Sequence, residues 1–244
     1  MKKITKEEYA ALPEINGWRI CPGETDYSEI QEFGNWAQFG NSAQFGEEAR
    51  FGNSAQFGNS ARFGNSARFG NSAQFGNWAR FGNSAQFGNW AQFGNSARFG
   101  NSARFGNWAR FGNWARFGNW ARFGNSAQFG NWAQFGNWAR FGNWAQFGEE
   151  AQFGEEALFE AMDFKAKRGN PLIQFDRFGS VKRNTQFFNT EGGIWVRCGC
   201  QLLLIDDFRQ CVSEKYGNTG HGLIYLGIAN VAQEYFRQED NGRP

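Results

Sequence analysis

Ten arginines lie between residues 49 and 148, a window that contains no Asp, Glu or Lys. They are Arg50, Arg62, Arg68, Arg80, Arg98, Arg104, Arg110, Arg116, Arg122 and Arg140, and every gap between them is a multiple of six. A second series runs in the same period, two positions ahead: Trp36, Trp78, Trp90, Trp108, Trp114, Trp120, Trp132, Trp138 and Trp144. Guanidinium groups attract anions, and indole faces stack on planar rings or on cations. Arginine interleaved with exposed aromatic surface suits phosphates together with stacked bases. The competing reading is structural, with Trp rings covering corners and stacking on Arg.

Other reactive residues are few. The single His, His221, lies far from these series, and the Cys residues are Cys21, Cys198, Cys200 and Cys211. Cys198, Cys200, Cys211 and His221 have the stoichiometry of a Cys₃His zinc site, but Cys-x-Cys is tighter than common zinc spacings. Cys is frequently just a small buried residue. No metal, cofactor or catalytic residue is therefore expected.

The elements that must position the Arg and Trp come from a six-residue repeat. Phe occupies position 33 and every sixth position to 153, giving twenty-one units of the form Phe-Gly-x-x-Ala-x, with Asn usually following the Gly. Gly and Asn in every unit exclude a helix. Ala and Phe, two apart, face the same way in an extended segment, and the residue between them faces oppositely. Gly-Asn reads as the turn, since both tolerate left-handed backbone conformations. Three strands and three corners close a triangle of eighteen residues, and stacked triangles form a parallel β-helix of about seven coils.

The unit Phe45-Gly46-Glu47-Glu48-Ala49-Arg50 resembles the motif of the hexapeptide-repeat, left-handed β-helix family, with Phe in place of the aliphatic residue. The resemblance implies left-handed coils, with Ala offsetting the bulk of three Phe per coil. The family includes acyltransferases, which need a His general base, commonly on a loop projecting from a coil. Here His221 lies outside the repeat and no unit carries an inserted loop, so acyl transfer is a lesser alternative. The layout is also similar to uncharacterised phage and prophage proteins. These have a head segment like Cys21-Pro22-Gly23-Glu24-Thr25-Asp26-Tyr27-Ser28, Phe-Gly hexapeptides, and a tail with a Cys-Gly-Cys strand, here Cys198-Gly199-Cys200. No known activity comes with that likeness.

The expected organisation is an N-terminal cap over 1–32, a β-solenoid over 33–158, a linker over 159–170 and a small α+β domain over 171–244. Thr5-Lys6-Glu7-Glu8 has capping-box form, and Glu47-Glu48, Glu149-Glu150 and Glu155-Glu156 mark the repeat's ends. In the C-terminal part, strands are expected at Leu172–Phe178, Gln186–Thr190 and Ile194–Cys200, and helices at Asp206–Tyr216 and Leu223–Arg237. Leu223, Leu226, Val231 and Phe236 are candidate apolar positions of the second helix. Met1–Lys6 leads into charge rather than an apolar run, so no signal peptide is expected. No apolar stretch suffices to span a membrane. With four Cys and no secretion signal, a reducing cytoplasm is expected.

Net charge is +2, yet the ten-arginine window alone carries +10, leaving −8 for the rest. Taking units three at a time assigns outward residues to faces. Gln38, Gln56, Gln74, Gln92, Arg110, Gln128 and Gln146 share one face. Arg62, Arg80, Arg98 and Arg116 dominate a second, and Arg50, Arg68, Arg104, Arg122 and Arg140 a third. The expected function is non-enzymatic binding of an anionic partner, whether nucleic acid, nucleotide or acidic protein. The binding residues are those of the two arginine faces with Trp108, Trp114, Trp120, Trp132, Trp138 and Trp144. The alternative is a structural scaffold that forms a homo-oligomer through its neutral glutamine face.

Overall fold

The computed structural model spans Met1–Pro244 and describes all residues except 143–144, 149–150, 155–156, 160–163, 166–171, 179–182, 199–200 and 241–244. Trp144, Glu149-Glu150, Glu155-Glu156, Cys200 and most of the expected linker lie outside the described residues. The chain divides into two compact units, Met1–Ala151 and Gln152–Pro244.

The first unit is a parallel β-solenoid of about seven turns. Each hexapeptide contributes one short strand, and each strand pairs with the strand eighteen residues on: Arg62 and Phe63 lie opposite Arg80 and Phe81. Phe and Ala are buried throughout the repeat, and the residue between them faces outward. The Phe rings form three columns. Within a column successive rings are nearly parallel, as in Phe63–Phe81 at 4.8 Å and 3°. Between columns they meet edge to face, as in Phe63–Phe69 at 4.9 Å and 88°. Both arrangements satisfy the quadrupole of the ring, and the column spacing is the strand spacing of the sheet. Ala fills the remaining room; a larger residue there would overpack the interior.

The corners differ from expectation. The left-handed residue is neither Gly nor Asn but the Ser or Trp that follows, with φ of 59° at Ser66 and 59° at Trp78. Glycine is required for another reason. A Cβ on Gly82 would lie 2.5 Å from Asn65 Oδ1 and 2.7 Å from Asn65 N, on the coil below. Asn is needed for its side chain: Asn65 Oδ1 accepts the backbone N–H of Asn83 at 2.8 Å, and the bond repeats coil after coil, as from Asn83 to Asn101. The Ser or Trp N–H donates to the Asn carbonyl on the following coil, as Ser66 does to Asn83 at 2.8 Å. The corner's polar groups are thereby paired between coils, as buried or crowded backbone requires.

Residues 1–32 do more than cap. Trp18–Cys21 pairs in parallel with Ala37–Phe39, and Thr25–Asp26 with Gln44–Phe45, so the head itself builds a coil. Cys21 sits opposite Phe39, and Tyr27 stacks on Phe45 at 5.3 Å while its hydroxyl donates to the Pro22 carbonyl at 2.8 Å. Burial pushes the Cys21 thiol up to about 12. The helix Lys6–Ala10 opens with the expected capping box, in which Glu8 N–H donates to Thr5 Oγ1 and Thr5 N–H to Glu8.

The second unit contains an antiparallel sheet in the order Leu172–Phe178, Arg183–Thr190, Gly193–Cys198, Gln201–Leu204. The first three strands and both helices, Ile205–Tyr216 and Gly220–Asp240, fall where the sequence places them; the fourth strand was not expected. Leu158–Phe159, at the expected boundary of solenoid and linker, pairs in antiparallel fashion with Phe164–Lys165 of the expected linker. One core joins Phe187 and Val196 of the sheet to Phe208, Val212, Tyr225, Ala229, Ala232 and Phe236 of the helices. The second helix thus buries positions 225, 229, 232 and 236. Leu223 and Val231, expected among its apolar positions, are exposed, because both fall outside that stripe.

Three substitutions test this packing. Gly82→Ala should cost about 2–3 kcal/mol in thermal or urea unfolding, because its Cβ meets backbone of the adjacent coil. Gly34→Ala, where a Cβ meets nothing within 4 Å, should be neutral or stabilising by about 0.5 kcal/mol. Phe99→Asp places an unpaired carboxylate among stacked rings and should abolish folding by circular dichroism. Wild-type melting of Gly82→Ala or Phe99→Asp would contradict the packing.

Candidate anion-binding surface

The strand register turns the arginine spacing into rows. Arg62, Arg80, Arg98 and Arg116 lie directly opposite one another on four successive strands. On a second face Arg50 is opposite Arg68, and Arg104, Arg122 and Arg140 are opposite in turn, with Gln86 between the two groups. The third face carries Gln38, Gln56, Gln74 and Gln92 in one row, then Arg110 and Gln128. All ten arginines are exposed. The three faces are those expected from the sequence.

Neighbouring arginines of a row stand one strand spacing apart, about 4.8 Å at the backbone. Like charges directly opposed in a sheet repel. Among the described residues, Arg50 is the repeat arginine with a carboxylate in ion-pair range: Glu32, opposite it on the preceding coil, lies 3.7 Å away. Glu32 could have been found in the sequence as the residue eighteen positions before Arg50. The pair is exposed, so it contributes little. The remaining rows carry uncompensated positive charge.

The corners place the aromatic rings. Trp108, Trp114 and Trp120 belong to one coil and stand at its three different corners, so they do not stack on one another. Each pairs along the axis instead. Trp90–Trp108, Trp114–Trp132 and Trp120–Trp138 are stacked, each at 5.2 Å with planes within 7° of parallel. The Trp residues described in the repeat are exposed, and none has an Arg guanidinium over its ring. The Arg–Trp stacking of the competing structural reading is therefore absent among the described residues, because outward Arg and corner Trp project from different positions of the coil. Trp at positive φ strains the backbone by roughly 1 kcal/mol, as does the Ser that shares this position.

The neutral face bears a shallow trough of about 660 Å³, lined by Gln38, Gln56, Gln74 and Gln92 with Gly40, Gly58, Gly76 and Gly94. Away from the solenoid, His221 is exposed near the start of its helix with its ring edge-on to Tyr216 at 6.4 Å. Cys198 is half-buried and accepts a hydrogen bond from Thr185 Oγ1 at 3.3 Å, whereas Cys211 is exposed. Among the described residues no group of three or more His, Cys, Asp or Glu is placed to hold a metal ion. No described helix is long and apolar enough to cross a membrane. Compared with family models, curated proteins and solved structures, the chain matches none.

The repulsion within a row is measurable. Replacing Arg62, Arg80, Arg98 and Arg116 together with Gln, the residue natural to the other face, should leave the fold intact. At low salt the melting temperature should rise by up to a few degrees, and the gain should vanish as salt screens the row. A lower melting temperature at every salt concentration would mean that the guanidinium groups stabilise the coil.

Proposed function

We propose that this protein is a non-enzymatic binding protein whose two arginine faces engage the phosphate backbone of a single-stranded nucleic acid. The observation that supports this most directly is the unbroken row Arg62–Arg80–Arg98–Arg116. It offers regularly spaced, exposed cations along a straight line, with no carboxylate facing them among the described residues. A linear polyanion relieves the repulsion along the row and gains from counterion release. Aromatic corners beside such a row favour bases that are free to stack, hence a single strand over a duplex. An acidic protein would satisfy the charge but leave the exposed indoles without planar partners.

The head segment Cys21–Ser28 and the tail around Cys198 support a phage-type setting, in which binding would sequester nucleic acid from a host process. The hexapeptide resemblance supports left-handed coils. The uncharged trough on the glutamine face supports a second role for that surface, contact with another copy of the chain, which sedimentation of the purified protein would reveal as a discrete oligomer.

Fluorescence anisotropy with labelled single- and double-stranded oligonucleotides at several salt concentrations tests the main reading. Single strands should bind more tightly, and affinity should fall steeply with salt. The four-arginine-to-glutamine variant should bind more weakly, its salt slope reduced by up to about 0.7 per lost phosphate contact. No binding by the wild type at low salt would exclude nucleic acid and leave an acidic protein or a small nucleotide.

A further inference from the structure

One corner of the solenoid carries Trp78, Ser96, Trp114 and Trp132 on four successive coils. From Trp114 to Trp132 one coil step stacks two indoles at 5.2 Å with planes 7° apart. From Trp78 to Trp114 there are two steps, and the residue between them is Ser. The backbone there does not differ: φ is 59° at Trp78, 60° at Ser96 and 58° at Trp114. Two indoles of equivalent placement therefore stand two stacking steps apart, with the thickness of one flat ring between them. Trp78, with no ring on either adjoining coil, is the most exposed of the described repeat Trp at 55%. The strands leaving these three corners carry Arg80, Arg98 and Arg116, consecutive members of the unbroken row.

We propose that Trp78 and Trp114 form a slot over Ser96 that takes one nucleobase between two indole faces, with the attached phosphates held by Arg80, Arg98 and Arg116. This rests on the nucleic-acid reading above and deepens it by assigning the site where a base is held. The slot suits a planar ring, because both walls are parallel π-faces. It admits an unpaired base and not a duplex, whose bases already stack on each other. The charge beside it selects a phosphorylated ring over a neutral aromatic. Among the other described corners, Trp36 and Trp90 are separated by two serines, Ser54 and Ser72, and Trp120 and Trp138 are adjacent; the same Trp-Ser-Trp spacing recurs in the sequence at Trp108, Ser126 and Trp144, of which Trp144 lies outside the described residues.

The slot can be filled without disturbing the coil. Ser96→Trp places at this corner the residue that eight other described corners carry at the same φ, and it changes no charge. Trp78→Ser removes one wall and likewise installs a natural corner residue. Each variant is first checked for wild-type circular dichroism and melting, and either one suffices. The probes are a single-stranded oligonucleotide containing 2-aminopurine, whose fluorescence is quenched on stacking, and inorganic polyphosphate, which has the charge and no bases. Wild-type protein should quench 2-aminopurine and bind both probes. In either variant the quench should be reduced and oligonucleotide affinity should fall by up to roughly tenfold, within the range that base–aromatic stacking supplies. Polyphosphate binding should be unchanged. Undiminished quenching and affinity in Ser96→Trp and Trp78→Ser would overturn the slot while leaving the arginine rows as a polyanion surface. Wild-type binding of polyphosphate without any quench would do the same. Failure of the wild type to bind either probe would overturn both readings.

Discussion

The eighteen-residue register between coils is the constraint on which the rest of the solenoid depends. Every outward residue is placed by it, because a shift of one residue would send each Phe to the surface and each Arg or Gln inside. Two interactions hold it. The Phe columns require one ring per face per coil, with edge-to-face contacts that leave no room for an extra residue. The asparagine ladder fixes the corners through a bond between equivalent residues eighteen apart, as from Asn65 to Asn83. Glycine lets adjacent corners approach closely enough for that bond, since a Cβ on Gly82 would occupy the space of the Asn65 amide. Phe, Gly and Asn are thus one device, and their invariance through most of the repeat follows from their mutual contacts.

The other positions of the unit are free of that device and vary. The corner residue points outward at a left-handed φ, where Gly or Asn would be less strained than Ser or Trp. Accepting that strain at eight described corners for a large exposed indole argues that the indoles serve something other than the coil's own stability. The outward residue at mid-strand alternates between Gln and Arg, and Gln alone would avoid like-charge repulsion. Variation is confined to positions where the fold is indifferent, and in both cases the residue used is less favourable for the isolated coil.

Much of this architecture was legible in the sequence because the register is uniform. Once Phe and Ala are placed inside, residues eighteen apart share a row, and the Arg and Gln faces follow by counting. The head was less legible. Cys21 and Tyr27 continue the Phe phase, twelve and six positions before Phe33, but their change of type hides a coil that the structure shows complete. The corner was misread for a physical reason. Gly and Asn suggest left-handed backbone by propensity, whereas here Gly answers to a steric contact with Asn seventeen residues away and Asn to a hydrogen bond eighteen residues away, both on another coil. In the second unit, Leu223 and Val231 are apolar but lie off the stripe of Tyr225, Ala229, Ala232 and Phe236. Apolar type alone could not separate them; the 3.6-residue phase could.

A surface built this way is preorganised. In a flexible basic segment, each arginine brought to a polyanion costs the chain conformational entropy at binding. Here the backbone positions of the row are already set by Phe stacking, so folding, rather than binding, supplies that cost. Bringing like charges together likewise takes place when the coil forms, and a polyanion releases it. The same argument applies to the corners, where indoles on adjoining coils are held parallel by equivalent backbone. A gap left by one serine, as at Ser96, then has a fixed width, set by the strand spacing and not by side-chain adjustment. The interior regularity that makes the solenoid stable is therefore what gives its surface a ruler.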